Sequence, residues 1–125
     1  MNLLLDTRIL LWWLDDSPSL SEKGRKAIAD INNLIALSAT AIWEIRIKQA
    51  LGKLRIGPNF YDVIKQQRFE MLPITSDHAY AVGDLPVHHN DPFDRMLIAQ
   101  AKLEGFTLVT HDPIFKKYPI SVLEV

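Results

Sequence analysis

Asn2-Leu3-Leu4-Leu5-Asp6-Thr7-Arg8, near the start of the chain, is an apolar run closed by an acid, with a helical stretch opening at Thr7. Three consecutive leucines leave no polar face, as a strand covered on both sides requires. The same pattern recurs further on. Leu34-Ile35-Ala36-Leu37 leads into a helix carrying Glu44, and Thr107-Leu108-Val109-Thr110 runs out to Asp112. Asp94 opens the helical stretch Asp94-Arg95-Met96-Leu97-Ile98-Ala99-Gln100-Ala101. In an alternating β/α chain the carboxyl ends of parallel strands share one rim, and ligands bind there. Carboxylates gathered on one rim repel each other unless a divalent cation neutralises them. Asp6, Glu44, Asp94 and Asp112 therefore read as a Mg²⁺ or Mn²⁺ site. Their crowding predicts that at least one titrates above the usual ~4.

Outward from this stretch, strand and helix signals alternate throughout. Strand 2–6 precedes helix 7–16, and Ser17-Pro18-Ser19 breaks the chain before a helix from about Ser21, its N-cap, to Asn32. Strand 34–38 feeds helix 40–51, which stops at Gly52. Beyond Gly57-Pro58-Asn59 come helix 60–69, strand 71–74 and a helix over 76–82 capped by Ser76 or Asp77. An irregular stretch at 84–91 precedes helix 92–104, strand 106–110, a short helix near 113–117 and a terminal strand at 120–124. Short apolar strands between helices imply a mainly parallel sheet covered on both faces. The expected fold is one three-layer α/β/α sandwich over residues 1–125, without repeats or linkers.

Hydrophobic residues make up 48% and charged residues 23%, as in ordinary globular proteins. The absence of cysteine excludes disulfides and thiolate metal sites. The longest apolar run, Ile9 to Leu14, is too short to span a bilayer, so the expectation is a cytoplasmic protein with no membrane partner. A net charge of −1 argues against a broad basic face for duplex nucleic acid, although Lys48, Lys53 and Arg55 cluster locally. No Gly-rich phosphate loop is present.

Each acid also has an ordinary structural reading. Asp6 can cap the helix beginning at Thr7; the metal role is preferred because three similar acids need explaining with it. Glu44 taken alone reads as a solvated partner of Lys48 at i+4. Asp91 reads as an N-cap before Pro92, and Asp94 sits where a capping-box acid would, while pointing toward the rim. Asp112-Pro113 repeats the cap-plus-proline pattern, leaving cap and ligand equally open. Loop hydrogen bonding is preferred over metal ligation for His78, His88, His89 and His111. Thr7, Ser38, Thr40 and Thr110 fall at strand ends, where they can orient carboxylates or cap helices. Ile9 to Leu14 points nearly all the way round its helix axis. Either neighbouring helices cover that surface, or it forms a groove for a partner helix or a second copy.

At these residues the chain resembles a PIN domain, and more narrowly a VapC-type ribonuclease toxin of prokaryotic type II toxin–antitoxin systems. The resemblance is carried by Leu4-Leu5-Asp6-Thr7, Ala41-Ile42-Trp43-Glu44-Ile45 with Lys48, Leu85-Pro86, His88-His89, Asp91-Pro92-Phe93-Asp94-Arg95 and Leu108-Val109-Thr110-His111-Asp112. It implies that Asp6, Glu44, Asp94 and Asp112 hold Mg²⁺ or Mn²⁺ for hydrolysis of single-stranded or structured RNA, leaving 5′-phosphate and 3′-hydroxyl ends. It further implies a cognate antitoxin that lays a helix or strand into a groove, where Trp12 or Trp13 would meet it, and a homodimer. Arg8, Arg46, Lys48, Lys53, Arg55 and Arg95 are candidates to guide the RNA backbone, with Arg8, Lys48 and Arg95 foremost. Arg8 departs from the His often found there in similar chains, and a cation beside Asp6 is expected to lower its pKa. A PIN-like module that binds RNA or protein without cutting is the main alternative. An acid-dependent phosphatase or receiver fits poorly: Arg8 stands where a second Asp would be needed, and no lysine follows the late strand.

Overall fold

A computed structural model describes residues 1–125. Five strands, β1 (Asn2–Leu5), β2 (Leu34–Ser38), β3 (Glu70–Leu72), β4 (Thr107–Thr110) and β5 (Val122–Glu124), form one sheet in the order β3-β2-β1-β4-β5. Every neighbouring pair is parallel, with Leu4 beside Ala36 on one side and Leu108 on the other. The helices are α1 (Thr7–Leu14), α2 (Glu22–Ala29), α3 (Ala39–Ala50), α4 (Phe60–Gln66), α5 (Ser76–Ala81) and α6 (Pro92–Glu104), with 3₁₀ turns at Val82–Asp84 and Pro113–Lys117. The three-layer α/β/α expectation is met.

Period-two alternation divides the leucines of β1 between the two faces. Leu3 and Leu5 pack with Ile9, Ile28 and Val109 beneath α1 and α2. Leu4 packs with Leu97, Ile98, Ala101 and Phe115 beneath α6. A third cluster of Leu10, Leu37, Ala41, Ile45 and Ile64 joins α1, α3 and α4. The chain leaves β1 toward β2 on one side and returns to β4 on the other. That reversal opens a crevice at the carboxyl ends of β1 and β4, where doubly wound sheets bind ligands.

Element ends differ from expectation for identifiable reasons. The strand predicted at 71–74 is Glu70–Leu72, because Pro73 has no N–H for the ladder. The helix predicted to Asn32 ends at Ala29, where Asp30 turns the chain by accepting from the Asn32 amide. Thr75, rather than Ser76 or Asp77, caps α5 and shares a capping box with His78. Gly52 and Gly105 follow α3 and α6 with φ of 72° and 73°, the left-handed conformation that glycine adopts without strain. No helix is long and apolar enough to cross a membrane.

Candidate functional site

The site begins at the crevice between β1 and β4. Asp6 caps α1, its Oδ1 accepting from the Ile9 amide at 2.8 Å, while Oδ2 accepts from the Thr110 hydroxyl at 2.5 Å. The two sequence readings of Asp6 are therefore compatible, because the capping geometry itself holds the carboxylate at the rim. Asp112 follows the end of β4 and accepts from the Ile114 amide as cap of the next turn. Its own amide donates to Thr110 Oγ1, so one threonine ties both acids together.

Glu44 projects from α3 and is 5% exposed. Thr7 donates to its Oε1 at 2.7 Å and Lys48 to its Oε2 at 2.5 Å. The i+4 pair expected of a solvated glutamate is present, but on a buried one. Asp94, on the first turn of α6, does not close a capping box. Asp91 alone caps that helix, and Asp94 Oδ2 instead lies 2.6 Å from His89 Nε2.

These four acids, from four different parts of the chain, line a single cleft of about 440 Å³. Arg8, Lys48 and Lys53 stand on the same cleft, as do Trp12 and His111. Arg95, expected to guide the RNA backbone, does not line this cleft. Its guanidinium donates to the carbonyls of Val82, Leu85, Pro86 and His89 at 3.0–3.3 Å. It thereby fastens the irregular stretch before α6 and sets His89 against Asp94. Of the strand-end hydroxyls, Thr7 and Thr110 orient carboxylates. Ser38 donates to buried Gln100, and Thr40 Oγ1 has no partner.

Burial dominates the electrostatics. It pushes the Asp6 carboxyl up, against hydrogen bonds from Thr110 and Ile9 and the nearby charge of Arg8. The cation at position 8 acts in the expected direction but is outweighed. Burial likewise drives Asp94 up to about 6, with the His89 hydrogen bond opposing it. Glu44 adds only the smallest push to each, so desolvation rather than crowding is the main cause.

An acid raised in the folded state binds its proton more tightly there than in the unfolded chain. The resulting stability is fully present below the ordinary carboxyl value of 3.8 and is lost as pH rises through about 6. The melting temperature of the ion-free protein should therefore fall between pH of about 4 and about 7 relative to Asp94→Asn. Asp6 titrates in both proteins and cancels in the comparison. Parallel melting curves would show that Asp94 titrates normally.

The chemistry of this donor set fits a hard divalent cation, since carboxylate oxygens are the ligands Mg²⁺ and Mn²⁺ take. The spacing is a different matter. No three carboxylate or imidazole groups lie close enough to ligate one ion together. The cage read from the four acids is thus not closed in this arrangement, and both oxygens of Asp6 and of Glu44 are already engaged within the protein.

His89 is the site residue that the sequence underrated. Its contact with Asp94 depends on the fold of the loop that Arg95 fastens, which no spacing rule reveals. His111 holds the carbonyl of Val125 at 2.7 Å and meets the Trp12 ring edge-on. The two tryptophans separate clearly. Trp12 sits on the cleft beneath the Arg8 guanidinium, 6.0 Å from its ring centroid. Trp13 does not line the cleft, and its indole N–H donates to Gln67 at 3.2 Å.

The PIN domain family model matches residues 3–120. The chain belongs to the PIN domain family. No curated protein matches it. Among solved structures this PIN domain is similar to a chain of the Rickettsia felis VapBC2 complex bound to a fragment of its promoter DNA. The TM-score is 0.76 at 21% identity, covering 100% of this chain and 99% of that one. A chain of FitAcB from Neisseria gonorrhoeae gives 0.70 at 20%, covering 98% and 96%. A toxin–antitoxin complex from Klebsiella pneumoniae gives 0.67 at 20%, covering 98% of each chain. At these identities the likeness is one of fold.

Proposed function

We propose that this PIN domain is a Mg²⁺- or Mn²⁺-dependent endoribonuclease and the toxin of a toxin–antitoxin pair. The observation that carries the proposal is the convergence of Asp6, Glu44, Asp94 and Asp112 on one cleft at the sheet's switch point. A stable binding protein has no evident need to bury Asp6 and Asp94 at the cost their raised pKa values record. A divalent ion held by these four acids would supply Lewis acidity, easing deprotonation of a water and stabilising the departing oxygen of a phosphodiester. The protein's own residues do the rest. Thr7 and Thr110 fix the carboxylates, His89 holds Asp94, and Arg8, Lys48 and Lys53 offer charge to the RNA backbone on the cleft.

The partner reading draws on the solved neighbours, one of which is itself described as a toxin–antitoxin complex. A cognate antitoxin is proposed to occupy the groove at Trp12. A cytoplasmic homodimer of the single domain is part of the same reading, with exposed Trp43, Leu51 and Tyr61 offering apolar surface for a second copy. One observation favours the alternative of a PIN-like module that binds without cutting, namely that no three acids share an ion position. Brief expression followed by sequencing of the new RNA 5′ ends distinguishes the two readings. Cleavage predicts new 5′-phosphate ends at defined positions, whereas a non-cutting module would leave the RNA population unbroken.

A further inference from the structure

We infer that Lys48 is the resident counter-ion of the cleft, and that a divalent cation enters by displacing its ammonium from Glu44. The inference rests on the metal-dependent reading above and concerns how that site is held when no ion is bound.

Glu44 is almost fully buried, with Thr7 on one oxygen and Lys48 Nζ at 2.5 Å on the other. A buried carboxylate stripped of its only cationic partner is strongly destabilising, so Glu44 releases Lys48 only when a proton or another cation neutralises it. The two partners are unequal in this respect. The Glu44 side chain is 6% exposed and that of Lys48 is 45% exposed, so the ammonium can return to water while the carboxylate cannot. Their i,i+4 spacing on α3 lets the exchange proceed through side-chain rotation alone. With Thr7 on one oxygen and Lys48 on the other, neither oxygen of Glu44 is free until the ammonium leaves.

Two features favour exchange over a permanent ion pair. Glu44 adds a small electrostatic push to both Asp6 and Asp94, and a doubly charged ion beside it would leave positive charge for those acids where one ammonium leaves none. A displaced Lys48 stays on a cleft it shares with Arg8 and Lys53, where it can meet a phosphate oxygen of the substrate. Lysine and metal then compete for one carboxylate, and each weakens the other by the same factor.

The test uses the whole chain and Mn²⁺ alone, with affinity measured by titration calorimetry and melting followed with and without the ion. Lys48→Met is expected to melt lower than wild type without Mn²⁺, yet to bind Mn²⁺ roughly tenfold more tightly. Lys53→Met is the control, because it removes the same charge from the same cleft without touching Glu44. It should change Mn²⁺ affinity far less. Lys48→Arg, which keeps a cation in reach of Glu44, should remain close to wild type. A purely structural lysine would lower melting and weaken Mn²⁺ binding together, and that result overturns the inference. Equal gains from Lys48→Met and Lys53→Met also overturn it, since general charge would then explain both. If wild type and variants alike bind no Mn²⁺, the metal-dependent reading itself fails, and this inference with it.

Discussion

Asp94→Asn is expected to lower RNA cleavage by about a hundredfold or more, the upper end of what losing even an outer-shell partner of a metal ligand costs. The same variant should be more stable than wild type near neutral pH when no ion is present. The two effects share one cause. The Asp94 carboxyl, raised to about 6 by burial, is held ionised at neutral pH against its surroundings. An amide of the same shape removes that penalty and keeps a group able to meet His89. It also removes the negative charge that a divalent ion needs. Added Mn²⁺ should therefore raise the melting temperature of wild type, because a ligand of the native state alone stabilises it. That rise should be blunted in Asp94→Asn and in Asp6→Asn. Loss of activity with gain of ion-free stability marks a functional acid, whereas a structural acid would lose both. If both Asn variants cleave RNA at the wild-type rate, the site lies elsewhere.

The sequence made the sheet legible because its signals are local. Three leucines in a row can be satisfied only between two covering layers, and the runs of β2 and β4 repeat that condition. The acids were legible for the same reason, since their positions at strand ends and first helical turns follow from chain order. What chain order does not carry is the direction of a side chain within the cleft. Arg95 and Arg8 look alike in sequence, each beside a site acid, yet one is spent on four backbone carbonyls and the other stands on the cleft. The destination of Arg95 depends on the shape of residues 82–91, a stretch without periodicity. His89 was hidden for the same reason, because a contact five residues long across a loop has no pattern to announce it. The cause of the raised pKa values was misjudged as well. Crowding can be read from a list of acids, but desolvation depends on what is packed over them, and packing is known only once the helices are in place.

Trp12→Ala should weaken binding of the cognate antitoxin by about 2 kcal/mol or more, or about thirtyfold in affinity. The apolar surface of α1 divides in the structure. Ile9 and Leu10 are fully buried, so they belong to the core and are closed to a partner. Trp13 is anchored just beyond the end of α4 through Gln67, and its removal should chiefly lower the melting temperature. Trp12 is the α1 aromatic that reaches the cleft, with Arg8 over its ring, His111 at its edge and the acids beyond. A partner segment packed on that indole would enter directly beside Asp6, so blocking the cleft and gripping the groove become one event. Large aromatics dominate interface energies because they bury much area at little rotamer cost. Trp12 is also partly packed on the β1 core, so some loss of stability is expected with Ala. Trp12→Phe separates the effects by keeping most of that packing while shrinking the surface offered to the partner. Affinity falling in the order wild type, Phe, Ala while Trp13→Ala affects mainly melting would place the antitoxin on this groove. Equal affinity across all four proteins would make the stripe ordinary core and move the partner to another face.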